Sequence, residues 1–201
     1  MAIKIQEHVE LKELTTMRVG GKARFFVQIS SVEQLVEMVV WIRQNGVSYY
    51  ILGGGSNMLV PDDGFDGVVI KIEIQGLLFE EHENETHAIV SAGEVWSDFV
   101  RTVVSRELWG VENLALIPGS VGGAFVQNIG AYGMEVKENV LWVEVFDVPT
   151  MSIRRYVNTE CGFGYRESIF KTNKNLIVLR GAIKLFRIPH KRIEYEDIKI
   201  F

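Results

Sequence analysis

Ile117-Pro118-Gly119-Ser120-Val121-Gly122-Gly123-Ala124-Phe125-Val126-Gln127-Asn128-Ile129-Gly130-Ala131-Tyr132-Gly133 is the stretch whose reading decides the fold. Few large side chains occur in it, so its chemistry is that of exposed main chain. Glycine accepts positive φ and lets a ligand approach the backbone closely. Successive N–H groups in such a turn form an anion-binding nest. Pro118-Gly119 sets a turn. Ser120 is placed to cap a short helix opening near Gly122, whose N–H groups and positive dipole end would aim at a phosphate. Gln127 and Asn128 then supply amide donors and acceptors suited to the edge of a heterocycle. A purely structural glycine-rich corner is the alternative, and it stays open at this point.

A second loop of the same kind is Leu52-Gly53-Gly54-Gly55-Ser56-Asn57-Met58-Leu59-Val60, after an apolar run, Val47 to Leu52, that reads as a buried strand. No Gly-Lys-Ser/Thr follows, so it is not a P-loop, and Met58-Leu59-Val60 reads as another strand, so it is not a dinucleotide fingerprint. Two such loops suggest one diphosphate gripped from both sides.

The chain has 201 residues, 47% hydrophobic and 23% charged, enough for one large domain or two small ones and against disorder. A net charge of −5 argues against nucleic acid or an anionic membrane as the main partner. Cys161 is the only cysteine, so no internal disulfide can form and a reducing compartment fits. The first residues, MAIKIQEHVELKEL, are too charged for a signal peptide, and no apolar run approaches the ~18 residues of a spanning helix. A soluble, cytoplasmic protein is expected.

Residues 1–14 read as an edge segment, and Phe25 to Ile29 as a strand. Ser31 with Gln34 forms a capping box for a helix that buries Leu35, Met38, Val39 and Ile42 and stops at Gly46. Val47 to Leu52 returns as a strand. Pro61-Asp62-Asp63-Gly64 marks a boundary. Val68 to Ile74, Ala88 to Ala92, Val140 to Asp147, Ile153 to Val157 and Leu176 to Phe186 read as further strands, with Glu80 to Thr86 a solvated hairpin tip. Ser97-Asp98 is placed to cap a helix with Phe99, Val100, Val103 and Val104 on its apolar face.

A third informative stretch runs from Cys161 to Lys171, where Tyr165 and Arg166 adjoin in a glycine-flanked loop. Arginine holds a carboxylate bidentately at any useful pH, and tyrosine stacks on a flat ring or donates its hydroxyl. A surface arginine beside a half-buried tyrosine is the bland alternative. His8, His82, His87 and His190 lack metal-ligand spacing, so no metal is expected. No G-x-S-x-G elbow occurs.

TTMRVGGKA (15–23), LGGGSNMLV (52–60), NLALIPGSVGGAFVQNIGAYG (113–133) and CGFGYRESIFK (161–171), in that order, resemble the UDP-N-acetylenolpyruvoylglucosamine reductases, flavoenzymes of bacterial peptidoglycan precursor synthesis. The resemblance implies an α+β fold: a two-subdomain FAD-binding module of the vanillyl-alcohol-oxidase (PCMH) type, with the substrate domain missing. The expected divisions are 1–66 for the first subdomain, 67–190 for the second, and 191–201 for the start of a truncated lid and substrate domain. Non-covalent FAD would be cradled at its pyrophosphate by Gly53, Gly54, Gly55, Ser56 and Asn57 and by Pro118, Gly119, Ser120, Gly122 and Gly123. Gln127, Asn128, Gly130, Ala131 and Tyr132 would continue the flavin site, and Val178, in Leu176 to Leu179, would lie along the isoalloxazine.

NADPH would be the hydride donor and a UDP-sugar enolpyruvyl ether the substrate. Arg166 would stabilise the charge developing toward the substrate carboxylate, Tyr165 would line the pocket, and Tyr195 would be a lid tyrosine. The resemblance also implies a proton-donating serine in a later Gly-Ser-Phe-Phe-Lys-Asn-type segment and a late glutamate. Neither occurs here, so a truncated chain, unable to complete the reaction alone, is expected, as a monomer or a weak dimer through its exposed surface. Thr15 stands where the family usually has Asn, and Met17 where it usually has Phe.

Overall fold

The structure is a computed structural model that describes residues 3–189. The chain divides into two compact units, Met1–Gln75 and Gly76–Phe201.

In the first unit β1 (Gln6–Glu10) leads through a 3-10 turn (Leu11–Leu14) to β2 (Lys22–Ile29). Helix α1 (Val32–Asn45), β3 (Ser48–Leu52) and β4 (Phe65–Ile72) follow. The sheet order is β1-β2-β4-β3, with β1 antiparallel to β2 and β4 parallel to both β2 and β3. A strand covered on both faces carries a continuous apolar run rather than an alternating one. Val68, Val69 and Ile70 are such a run and occupy the middle of the sheet. On β2, successive phenylalanines point to opposite faces: Phe25 meets Trp41 of α1 edge-on at 5.3 Å, whereas Phe26 joins a core of Leu11, Ala23, Leu52, Val60 and Val69.

Helix α1 buries Leu35, Met38, Val39 and Ile42, as its spacing requires. Ser31 Oγ accepts from the Gln34 N–H at 3.3 Å, and Gln34 Oε1 accepts from the N–H of Ser30 at 2.8 Å. The return half of the expected box therefore falls one residue earlier than the cap.

Two expectations are corrected in this unit. The boundary expected after residue 66 lies instead after Gln75, because β4 completes the first sheet through its parallel ladders. Met58 to Val60 is not a strand. Val60 is drawn into the core, Leu59 is 72% exposed, and the neighbouring Pro61 carbonyl accepts from the Gly64 N–H in a turn, at 3.0 Å, and from the distant Gly21 N–H at 2.9 Å.

The second unit starts with the hairpin of β5 (Leu77–Glu81) and β6 (Glu85–Ser91), followed by α2 (Trp96–Ser105). After a 3-10 turn (Glu112–Leu114) come α3 (Val121–Gln127) and the small hairpin of β7 (Gly130–Ala131) and β8 (Met134–Glu135). Then β9 (Val140–Asp147), β10 (Ser152–Val157), α4 (Ile169–Thr172) and β11 (Leu176–Phe186) complete it. The antiparallel sheet has the order β10-β9-β11-β6-β5.

Helix α3 lies on this sheet: a Cβ on Gly181 of β11 would stand 2.7 Å from the Phe125 ring, so the missing side chain makes room for the phenylalanine. Helix α2 starts at Trp96, with Val95 at its cap and no side-chain capping bond, so Ser97 and Asp98 are not the caps expected. Its first turn is satisfied by main chain, Trp96 N–H to Gly119 O at 3.0 Å. Its buried face is Trp96, Phe99, Val100 and Val103, with Val104 52% exposed.

Candidate active site

In the first unit, β3 delivers the chain into Gly53–Asn57. Gly55 has φ +67, and a Cβ there would lie 2.1 Å from the Leu14 carbonyl oxygen, so only glycine lets the loop cross the segment at residues 14–16. The Thr16 N–H donates to Gly55 O at 3.1 Å and fixes that crossing. Directly beside it, Thr15 is 7% exposed and its Oγ1 has no hydrogen-bond partner among the described residues. A buried hydroxyl without a partner is rare and asks for an external one. Met17 and Leu59 are exposed in the same unit, at 62% and 72%. The sequence offered Thr15 only as a departure from the family pattern; its burial beside the glycine loop is a tertiary fact that no local signal carries.

In the second unit, Ser120 caps α3 as expected, its Oγ accepting from the Gly123 N–H at 3.2 Å. The N–H groups just inside this helix start are engaged within the protein. Val121 N–H donates to Glu94 O and Gly122 N–H to Ala92 O, both at 2.9 Å, and Ala124 N–H to Ser120 O at 2.9 Å. The first turn of α3 therefore spends two donors on the connection between β6 and α2 and two on Ser120. Gly122 is small because that connection is close: its Cβ would stand 2.8 Å from Ala92 Cβ. Before this turn, Leu116 has φ +61 and is 86% exposed. A bulky residue in the left-handed region is strained, and such strain concentrates at functional sites.

Asn128 is fully buried at φ +41. Its Nδ2 donates to Gly164 O at 2.7 Å and to Glu135 Oε1 at 3.0 Å, while its Oδ1 accepts from the Lys137 N–H at 3.1 Å. Both amide hydrogens and one lone pair of the oxygen thus serve the protein. Gln127 is half-buried and has no side-chain hydrogen bond among the described residues. Gly130 and Ala131 form β7, and Tyr132 (φ +49) with Gly133 (φ +75) makes a turn of the primed type that joins it to β8. Tyr132 is 51% exposed.

The Tyr165-Arg166 loop is bolted to this hairpin. Ser168 Oγ donates to Val126 O at 2.7 Å, and Arg166 Nη2 to Gly130 O at 2.7 Å. With the Asn128 bond to Gly164, three side-chain contacts tie residues 126–130 to residues 164–168. Lys171 Nζ closes the loop on the Arg166 carbonyl at 2.7 Å. Tyr165 is 87% exposed, and Arg166 is exposed at φ +55. One bond to Gly130 leaves most of the five N–H donors of a guanidinium available for an anion. Ser168 is buried, and its hydroxyl is committed to the Val126 carbonyl.

Leu176 to Leu179 are buried in β11, with Val178 opposite Val145 and a register shift just after it. Tyr195 lies outside the described residues. Cys161 is wholly buried; that burial, with Glu160 adding to it, pushes its thiol up to about 12, so it offers no thiolate for covalent attachment.

The FAD binding domain family model matches residues 23–155. UDP-N-acetylenolpyruvoylglucosamine reductase of Flavobacterium johnsoniae is 38% identical over 201 residues, covering 98% of this chain and 58% of that protein. Among solved structures, UDP-N-acetylenolpyruvylglucosamine reductase from Thermus caldophilus superposes with a TM-score of 0.75 at 31% identity, over 98% of this chain and 66% of that one. Cholesterol oxidase from Brevibacterium sterolicum gives a TM-score of 0.67 at 9% identity, over 92% of this chain and 37% of that one, a likeness of fold alone. The chain thus spans about 58% of the length of the first of these relatives.

Proposed function

This chain belongs to the FAD binding domain family, within it to the UDP-N-acetylenolpyruvoylglucosamine reductases, and from that premise we propose that it is the FAD-holding part of an NADPH-using reductase that converts UDP-N-acetylglucosamine enolpyruvate to UDP-N-acetylmuramate. The fold is the vanillyl-alcohol-oxidase type of FAD-binding module. The cofactor fits what the residues offer: an unpartnered buried hydroxyl at Thr15 beside a glycine loop, and an exposed ring at Tyr132 in the stretch expected to continue the flavin site.

When bound, the flavin supplies a two-electron relay between NADPH and the enolpyruvyl ether. The protein's own contributions are positional and electrostatic. With FAD bound, Gly53 to Asn57 would offer main chain to the pyrophosphate, as would Pro118 to Ser120, and Gln127, Gly130, Ala131 and Tyr132 would border the flavin. Asn128 acts through the loops it joins. Tyr165 borders the substrate. Arg166 holds the carboxylate and stabilises the charge that grows on it, an effect that is large in a site that excludes water. The setting is the cytoplasm, in cell-wall precursor synthesis, and the assembly is a monomer or weak dimer. Among the described residues no helix is long and apolar enough to cross a membrane.

The observation that carries the reading is the bond from Arg166 to Gly130, which fixes an exposed cation at the entry to the β7–β8 hairpin. The test is FAD titration of the purified chain, then NADPH oxidation with and without the UDP-sugar in the protein that carries the chain. Expected are a yellow complex whose FAD is freed by heat, and oxidation that depends on the sugar. A colourless chain that takes up no flavin would overturn the reading. Flavin uptake with no sugar-dependent oxidation would favour an inactive FAD-binding or interaction module.

A further inference from the structure

The hairpin of β5 and β6 brings together side chains that the sequence separates. Glu80 stands directly opposite His87 across the ladder. His82 lies two residues beyond Glu80, and residues two apart share one face of a strand. The His82 N–H donates to Glu85 O at 2.9 Å and turns the chain so that the His82 and His87 rings meet, centroids 4.0 Å apart. One ligand atom from each of Glu80, His82 and His87 falls within 4.8 Å of the others. The two histidines have four residues between them but no cysteine pair to complete a zinc motif, and the carboxylate comes from the facing strand, so the sequence excluded a metal; the reversal of the chain supplies the third ligand.

We propose that Glu80, His82 and His87 form a surface site for a divalent transition cation of the zinc class. Two imidazoles and one carboxylate are the donor set that zinc and its neighbours accept, with the remaining position left to water. Glu85 adds a second feature of built metal sites: its Oε1 is 2.6 Å from His87 Nε2. A carboxylate on one ring nitrogen fixes the tautomer and leaves the other nitrogen's lone pair for the cation. Lys184, opposite His87 on β11, is the cation facing the cluster from the next strand and opposes binding. A bound ion would clamp the hairpin tip between β5 and β6, far in sequence from the glycine loops.

The test is calorimetric titration of zinc chloride into the full chain in a non-chelating buffer at neutral pH, with histidine ring resonances followed by NMR. Expected is a single saturable site, with the ring signals of His82 and His87 shifting together while that of His8 stays put. His82→Gln and His87→Gln each weaken binding at least tenfold, and the double variant abolishes it. Glu85→Gln weakens it about 10-fold, the usual loss when a supporting carboxylate goes. His8→Gln leaves it unchanged. No saturable binding, or binding that survives the double variant, overturns the proposal. Ring shifts confined to other histidines do the same without relying on any variant.

Discussion

Arg166 donates from Nη2 to the carbonyl of Gly130 at 2.7 Å, so the cation of one loop and the first residue of the neighbouring hairpin are held as one piece. Lysine has the charge but not the planar fork that can keep this bond and grip a carboxylate together. In the proposed reductase reaction Arg166→Lys is expected to lower kcat about 10²-fold or more, the scale of one lost charge-stabilising donor, with a smaller change in KM. Steady-state kinetics decides. A rise in KM alone would make Arg166 a ground-state anchor.

Thr15 gives a prediction with two opposite signs. Its buried Oγ1 has no partner among the described residues, so Thr15→Val removes an unsatisfied group and should leave the flavin-free chain as stable as before, or more so. If FAD is the missing partner, the same change weakens FAD binding about 5- to 10-fold, the worth of about one hydrogen bond. Urea denaturation without flavin and fluorescence titration with it read the two halves separately. Loss of stability without loss of affinity would sink the assignment.

Gly122 and Gly123 should separate cleanly. Ala at 122 places its methyl 2.8 Å from Ala92 Cβ, whereas at 123 the nearest neighbour is Ser120 Oγ at 3.5 Å. Gly122→Ala is expected to cost about 1–3 kcal/mol by overpacking. Gly123→Ala is expected to be neutral or to stabilise by up to ~1 kcal/mol, since alanine is the better helix former. Paired melting curves test it, and equal effects would contradict the packing argument.

Glu144 predicts an acid limb of stability. Burial pushes its carboxyl up, but bonds and charge from Arg180, at 2.7 Å, and Arg155, at 3.1 Å, outweigh that and leave it below the ordinary value of 4.5. A carboxyl depressed in the folded state contributes stability that is whole above 4.5 and is lost as pH falls through the folded value. Glu144→Gln should flatten that limb in a pH series of urea midpoints. An unchanged slope below pH 4.5 would assign the limb to other carboxylates.

Cys161 predicts the alkaline side. Its Sγ donates toward Val157 O at 3.4 Å, and burial with Glu160 nearby raises the thiol from 9.0 to about 12. Between those values the unfolded chain ionises while the folded one does not, so stability falls as pH rises through that window. A thiol reagent at mildly alkaline pH should label the native chain slowly and the denatured chain at once. Rapid native labelling would contradict the burial.

Much of the fold was legible because local signals agree with it. Ser31, Gln34 and Gly46 bound α1 where capping chemistry places them, and Ser120 caps α3. What could not be read was tertiary. Val60 resembles a strand residue but is pulled into a core with Leu11 and Phe26. Gly122 resembles a phosphate-facing glycine, yet its N–H and its missing Cβ both answer to Ala92. Asn128 resembles a ligand donor, and both its amide hydrogens go to Gly164 and Glu135. In each case the residue type names a capacity, and only the fold says which partner takes it.

The place of β4 also dictates an order of events during synthesis. It is the last strand of its sheet to be made, yet it lies between β2 and β3, which bond to it and not to each other. Until residue 72 has left the ribosome, β3 has no ladder to join and β2 has only the short edge strand β1. Parallel pairings of such sequence separation are slow to form, and strands waiting for them expose unpaired edges. The growing chain therefore passes through an interval in which α1 and the apolar strands around it lack their central partner. That interval is where a folding helper would find this protein, and where a stalled or clipped chain would aggregate.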